Sequence, residues 1–507
     1  MKNQIAIIPM DNRNYTGRDP RILGAMAGWR VLEPDVKIIG NDMASGADAA
    51  ALEKWLLSVC ARVDCVILPL DLFLYGGCIR GTYRIIDERD VLIRLNILGK
   101  IRKKNPACRI YGFKIIHGIS VHSLIGRGIG EKTAKDLFDH FELCGVDDKK
   151  NARRLKSIRK SIPAKVLSEF LEIRESHARV NESLLRLVEG DLLDYLLFAQ
   201  NDVPRTGLHL IEQKRLARHL RDFQERTGVI TGLDESIHLL LARHANFACG
   251  VSPRIFIQYS SARGPMTQCK YEDRCLGDNV RNHVFVAGGT AVETPEDANG
   301  TLMINCPEDE QGELLLRDDS EWMSNRNAGP FVAAIQWHLG RSKNVALADV
   351  FYVNGGDDEL MSLLEKNIDL KKLAGYAGWN TAANTVGTAI AQLCVQFAGR
   401  RNGAGAGRMK REKERFLLTR LINDWLYQGK VRAGVIRWAR KELGVQPWDL
   451  GGFKSVVEKR IKKEMKPEME RLVKRHFPGW DSGDIEIELP RTRVSTLNVN
   501  VGGNAGD

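Results

Sequence analysis

Hydrophobic positions along the first 400 residues follow two alternating rhythms. Short runs rich in Val, Ile and Leu read as strands: "QIAIIPM" (4–10), "VKIIG" (36–40), "DCVILPLD" (64–71) and "CRIYGFKII" (108–116). The intervals between them suit crossover helices, as over Asp48–Arg62 and Glu88–Lys103, where apolar residues recur at helical spacing. The rhythm resumes with "LLDYLLFAQND" (192–202), "VITGLDE" (229–235), "RIFIQYSS" (254–261), "TLMINCP" (301–307), "VALADVFYVNGG" (345–356) and "LAGYAGWN" (373–380). Continuous apolar runs followed by amphipathic helices mark parallel strands buried on both faces. The pattern predicts an α/β fold of parallel βα units, closed as a TIM-like barrel or open as a doubly wound sheet.

The same rhythm sets the expected organisation. A βα domain covers 1–250, interrupted by a charged helical insertion over about 130–190 that Pro163 breaks. Residues 251–400 form a second α/β domain or complete the first sheet. "RRNGAGAGR" (400–408) reads as a linker, 409–480 as a basic helical segment, "DIEIELP" as a returning strand and 495–507 as a disordered tail. Trp425, Leu426, Trp438 and Trp448 are expected to bury against the body.

Composition sharpens this little. A chain of 507 residues with 43% hydrophobic and 27% charged residues exceeds one core and resembles an ordinary globular protein. No stretch is long and apolar enough for a membrane span, and the N-terminus reads as a first strand instead of a signal peptide. Ten scattered cysteines without a CxxC pair point to reduced thiols and a cytoplasmic protein. The net charge of +11 is concentrated late in the chain, since Arg401–Arg475 holds 21 Lys and Arg against 9 Asp and Glu. That surplus is expected to be solvated helix face, so nucleic acid is not the expected partner.

Candidate chemistry lies where strands end, because ligands of parallel sheets bind at the carboxyl ends of strands. The first strand ends in Asp11 and Arg13, and the third in Asp71 and Tyr75. The fourth runs through Lys114 to His117. The fifth leads to Gln200, Asn201, Asp202, Arg205 and His209, and the next to Asp234 and Glu235. Later ends supply Tyr259, Asp349, Tyr352 and Asn354, then Trp379, Asn380 and Asn384. Many such residues serve as helix N-caps, Asp234 and Thr381 among the candidates. Caps do not account for the amides, Tyr, Arg and Trp that accompany the carboxylates. Such a set hydrogen-bonds hydroxyls and stacks a ring face, which is carbohydrate chemistry. The phosphate-loop, HExxH and GxSxG motifs are absent, and the histidines show no zinc spacing. No cofactor and no metal are expected.

The strand-end motifs are also those of a known family. "IIPMDNRNYTGRDP", "LPLDLFLYGG", "FAQNDVPRTGLH", "ITGLDESIHLLLAR", "ALADVFYVNGGDDEL" and "LAGYAGWNTAANTVGTAIAQ" run in order along most of the chain, which resembles the bacterial family DUF4127. The resemblance implies no reaction. The family pattern carries an acidic pair where this chain has Asn201–Asp202, and "DERP" where it has "DNRN", which leaves Asp11 and Asp202 as the retained carboxylates.

A glycoside hydrolase needs two carboxyl groups flanking the scissile bond. The expected pair is Asp202 and Glu235, with Asp11 orienting or substituting. Arg13, Asn201, Arg205, His209, Tyr259, Asp349, Asn354, Trp379, Asn380 and Asn384 would hold a small or oligosaccharide substrate. One alternative is a metal-assisted hydrolase or lyase using Asp11, Asp202 and Asp349. The other is a non-catalytic sugar-binding protein.

Overall fold

The computed structural model describes residues 3–40, 46–145, 149–316, 327–341 and 344–502. The chain divides into two compact units. Unit 1 comprises Met1–Asn12, Leu32–Ser236 and Tyr271–Arg274; unit 2 comprises Arg13–Val31, Ile237–Lys270 and Cys275–Asp507. The divide falls earlier than the expected 250, and a short early segment and the C-terminal helices both belong to unit 2.

Unit 1 is built on β1 (Gln4–Ile7), β2 (Arg30–Leu32), β3 (Cys65–Pro69), β4 (Arg109–His117), β5 (Tyr195–Asn201) and β6 (Thr227–Thr231), with the unit boundary inside β2. The strand order is β2-β1-β3-β4-β5-β6. Parallel register sets Ile5 opposite Cys65, Leu68 opposite Gly112 and His117 opposite Asn201. All five residues of β3 are buried, as a strand covered on both faces requires. Ala49–Val59 is a helix because Asp48 accepts from the Ala51 N–H at 3.0 Å and its apolar face carries the buried Leu52 and Leu56. The sheet is open, so the barrel alternative falls away.

The stretch "VKIIG", expected as a strand, is the helix Val36–Ile39. Asp35 caps it by accepting from the Lys37 N–H, and Gly40 ends it at φ 93°. Four residues, three of them apolar, carry no period, and the cap decides. The insertion is helical as expected, with Glu131–Leu143, Lys149–Ser161 and Ala164–Glu189 broken at Pro163.

Unit 2 carries β7 (Arg254–Tyr259), β8 (Thr290–Val292), β9 (Gly300–Asn305), β10 (Gly312–Glu313), β11 (Asn344–Asp349), β12 (Tyr352–Val353), β13 (Gly375–Ala377), β14 (Ile485–Glu488) and β15 (Asn498–Val501). Its main sheet has the order β13-β11-β9-β7-β8, with parallel neighbours. Read from the β8 edge and counted along the chain, that is second, first, third, fourth, fifth, the order with which unit 1 begins. Each unit is thus a doubly wound sheet whose strand order reverses between its first and third strands, the place where such sheets open a crevice.

Three expectations about the C-terminal part are corrected. Residues 498–501 form β15, antiparallel to β14, so the tail is ordered through this strand, while 503–507 lie outside the described residues. The linker shrinks to 402–405, because helices occupy Ala382–Arg401 and Ala406–Arg420. Trp425 is buried but Trp448 is 51% exposed. Residues Leu421–Val431 form a π-helix, a rare geometry that no periodicity argument anticipates.

Candidate functional site

Unit 1 presents its chemistry at the carboxyl ends of its strands. Asp71 follows β3 in the short helix Leu70–Tyr75 and is fully buried. Lys114, also buried on β4, lies 2.9 Å from Asp71 Oδ1, and the Ile115 N–H donates to Oδ2 at 2.9 Å. His117 Nε2 stands 3.3 Å from the same carboxylate, and its Nδ1 meets the Thr82 hydroxyl at 3.0 Å. Burial alone would raise the Asp71 carboxyl, but Lys114 and His117 outweigh it and hold it below the usual carboxylate range. Burial also lowers His117 to about 4, so the imidazole is neutral at pH 7. A charged pair with satisfied partners inside the sheet end is a fixed support for whatever stands above it.

Two further carboxylates share this end. Asp11 follows β1 and Asp234 follows β6; burial, then the charges of Asp71, Asp11 and Asp234, push the Cys78 thiol well up. Asp11 and Asp234 are nearly buried, at 8% and 7% exposure. Glu235, beside Asp234, is fully buried. The loop after β6 is tied to β5 through the Gly232 N–H, which donates to the Gln200 carbonyl at 2.8 Å.

At the β5 end Asn201 is half-buried, while Asp202 and Arg205 are exposed. Asp202 has φ 46°, a left-handed conformation costly for a non-glycine residue and frequent at functional sites. The neighbouring β4 end approaches closely: a Cβ on Gly118 would lie 2.2 Å from the Asp202 carbonyl oxygen. His209 is fully buried, and burial lowers it to about 4. It faces Asp273 at 3.8 Å, and Asp273 also accepts from Thr231 at 2.7 Å and Gln213 at 2.8 Å. His209 is therefore held inside the protein, which corrects its expected place against a substrate. Asp273 escaped the sequence reading because it sits in an irregular loop with no pattern to mark it.

The remaining expected site residues, Arg13, Tyr259, Asp349, Asn354, Trp379, Asn380 and Asn384, belong to unit 2. Asp349 ends β11 fully buried, and burial together with the nearby Asp357 pushes it up to about 7. Asn305 donates to it at 2.8 Å, and the Asp357 N–H at 2.7 Å. Asp357 also caps the helix Asp358–Asn367, as the charges of "GGDDEL" imply.

Trp379 is only 3% exposed and stacks on Tyr15, with ring centroids 3.6 Å apart and planes at 3°. The Arg420 guanidinium covers the Tyr15 ring at 4.3 Å. The expected sugar platform is thus corrected: this Trp face carries a protein ring. Asn384 is likewise engaged internally, accepting from Asn380 at 2.6 Å and from Thr381 at 3.0 Å, with Thr381 as the N-cap of the helix. Asn354 and Asn380 both adopt positive φ, at 69° and 53°, and the Asn354 N–H donates to the Asn380 carbonyl at 2.8 Å. Both remain half-buried, as do Tyr259 and Arg13.

Asp349 and the carboxylates Asp11 and Asp202 fall in different units. Among the described residues, no group of three or more His, Cys, Asp or Glu is placed to hold a metal ion. No helix among them is long and apolar enough to cross a membrane.

A family model described as "Protein of unknown function (DUF4127)" matches residues 5–500. The comparisons with curated proteins and with solved structures found no similar chain.

Proposed function

We propose, for a chain that belongs to the DUF4127 family, a glycoside hydrolase that works through carboxyl groups at the strand ends of unit 1. The observation that carries this reading is the succession of carboxyls at the strand ends of one parallel sheet, Asp11 after β1, Asp71 after β3, Asp202 after β5, and Asp234 and Glu235 after β6. Glycosidic cleavage needs one carboxyl to protonate the leaving oxygen and another to act as base or nucleophile, about 5–9.5 Å apart. Asp202 and Glu235 follow β5 and β6, which are adjacent parallel strands, so the two carboxyls come from neighbouring strand ends. Asp11 orients the substrate or substitutes for one member. Asn201, at the end of β5, and Arg205, from the same loop as Asp202, supply hydrogen bonds to sugar hydroxyls. Ten cysteines without a CxxC pair favour a reducing compartment and a cytoplasmic reaction.

Turnover of a panel of aryl glycosides by Asp202→Asn, Glu235→Gln and Asp11→Asn tests the reading, with sugar binding measured in parallel. Loss of a carboxyl acting as acid or base lowers kcat by about 10²–10⁴-fold with binding retained. Full turnover in all three variants would remove these residues from the chemistry. Sugar binding without turnover in the unmodified protein would make it a binding protein.

A further inference from the structure

We infer that the helix Lys149–Ser161, on the insertion of unit 1, is a docking surface for an anionic oligosaccharide. The inference rests on the sugar-hydrolase reading and names the charge class of its substrate. The helix reads "KKNARRLKSIRKS", with seven cationic residues and no acidic one. Asn151, Leu155 and Ile158 turn inward and are half-buried, and the other ten residues are exposed. Lys149, Arg153, Lys156 and Lys160 follow at spacings of four, three and four, which aligns them on one face. Among the described residues none of these four is ion-paired, whereas Arg154, on another face, meets Asp139 at 3.0 Å. Like charges at these spacings oppose helix formation. The stripe therefore stands ready for an anion supplied from outside, over a length of about 16 Å.

A second observation lies at the helix end. A groove of about 710 Å³, where this helix meets Ala164–Glu189, is lined by Arg159, Lys160, Ser161, Ile162, Leu167 and Ser168, among others. Cations for carboxylates and aliphatic carbon for a ring face meet there, and the Ser161 and Ser168 hydroxyls, which donate to Asp136 and to the Lys165 carbonyl, can accept from sugar hydroxyls, the complement of a uronic acid residue. A bilayer is a poorer occupant, because Leu155 and Ile158 turn into the protein and the exposed Ala152 is too small to anchor in lipid. Single-stranded nucleic acid is poorer too, since the helix has no aromatic residue on which a base would stack.

The test measures binding of the full chain to oligogalacturonate, to a neutral dextran of matched length and to an oligothymidylate, across a range of salt. The variant Lys149→Gln/Arg153→Gln/Lys156→Gln/Lys160→Gln, checked for native helicity, is measured alongside. Expected are binding of oligogalacturonate over dextran, at least tenfold weakening in the variant, and a shallower salt dependence. Unchanged oligogalacturonate affinity in the variant overturns the proposal. So does equal preference for dextran, or tighter binding of oligothymidylate with the same dependence on the four residues. The readout needs no turnover, so the two readings fail separately. An unmodified protein that binds the uronate through this stripe yet cleaves no glycoside keeps the surface and loses the hydrolase. Full cleavage with stripe-independent binding does the reverse.

Discussion

Lys114 and Asp71 are each almost wholly removed from water, so neither charge is tolerated alone. Lys114→Met would leave a buried carboxylate with too few partners, at a cost of about 3–5 kcal/mol. Denaturant titration reads that loss, and the double variant Lys114→Met/Asp71→Asn should recover much of it; failure to recover would show that packing, not charge, sets the cost. The titration of buried groups has a readable sign. His117 and His209 are lowered to about 4 and His238 to about 3, mainly by burial. The unfolded chain therefore takes up protons first, and stability falls as pH drops from about 6.5 towards 4. Asp349, raised to about 7, works the other way, because its folded form takes up a proton as pH falls from 7 towards 4. Asp349→Asn should thus steepen the decline in Tm on acidification over that window, and an unchanged slope would contradict the assignment.

At the scale of elements, the π-helix Leu421–Val431 has a visible reason. Residues five apart align in a π-helix, which brings both Asn423 and Gln428 to the hydroxyl of Tyr15. Asp424 between them accepts from the Gly378 N–H at 3.1 Å, fixing the turn that follows β13. Tyr15→Phe keeps the stack on Trp379 but leaves a buried amide short of a partner, which costs about 1–3 kcal/mol in thermal or chemical unfolding. Sequence reading reached those elements whose signal is local. β3 and β5 announced themselves as apolar runs, β4 as a β-rich run despite Lys114, and the insertion as charged helices cut at Pro163. β2 and β8 were missed because three-residue strands carry no period. The polar strand ends were legible too, including Asp71, Lys114 and His117. The role of Trp379 was not, because its partner Tyr15 lies near the other end of the chain. Asp273 had no signal of any kind.

Across the whole chain, the two units repeat one strand order without an evident sequence repeat, since burial fixes apolar character and leaves identity free. Within unit 2, the segment Arg13–Val31 is held by the last strand. Asn498 Oδ1 accepts from the Asn14 N–H at 3.0 Å, and Arg18 donates to Asn500 at 2.9 Å and to the Val501 carbonyl at 3.1 Å. Truncation after Arg493 should therefore open new tryptic cleavage at Arg18 and Arg21, while an unchanged digest would show that the segment is held elsewhere. The same clasp sets an order of events in the cell. Residues 13–31 leave the ribosome early, yet their partners at 498–501 are made about 25–95 s later at the usual 5–20 residues per second. The segment's partners Trp379 and Arg420 emerge first, so until they do the early segment waits in an open or chaperone-held state, and unit 2 is completed only when synthesis has all but ended.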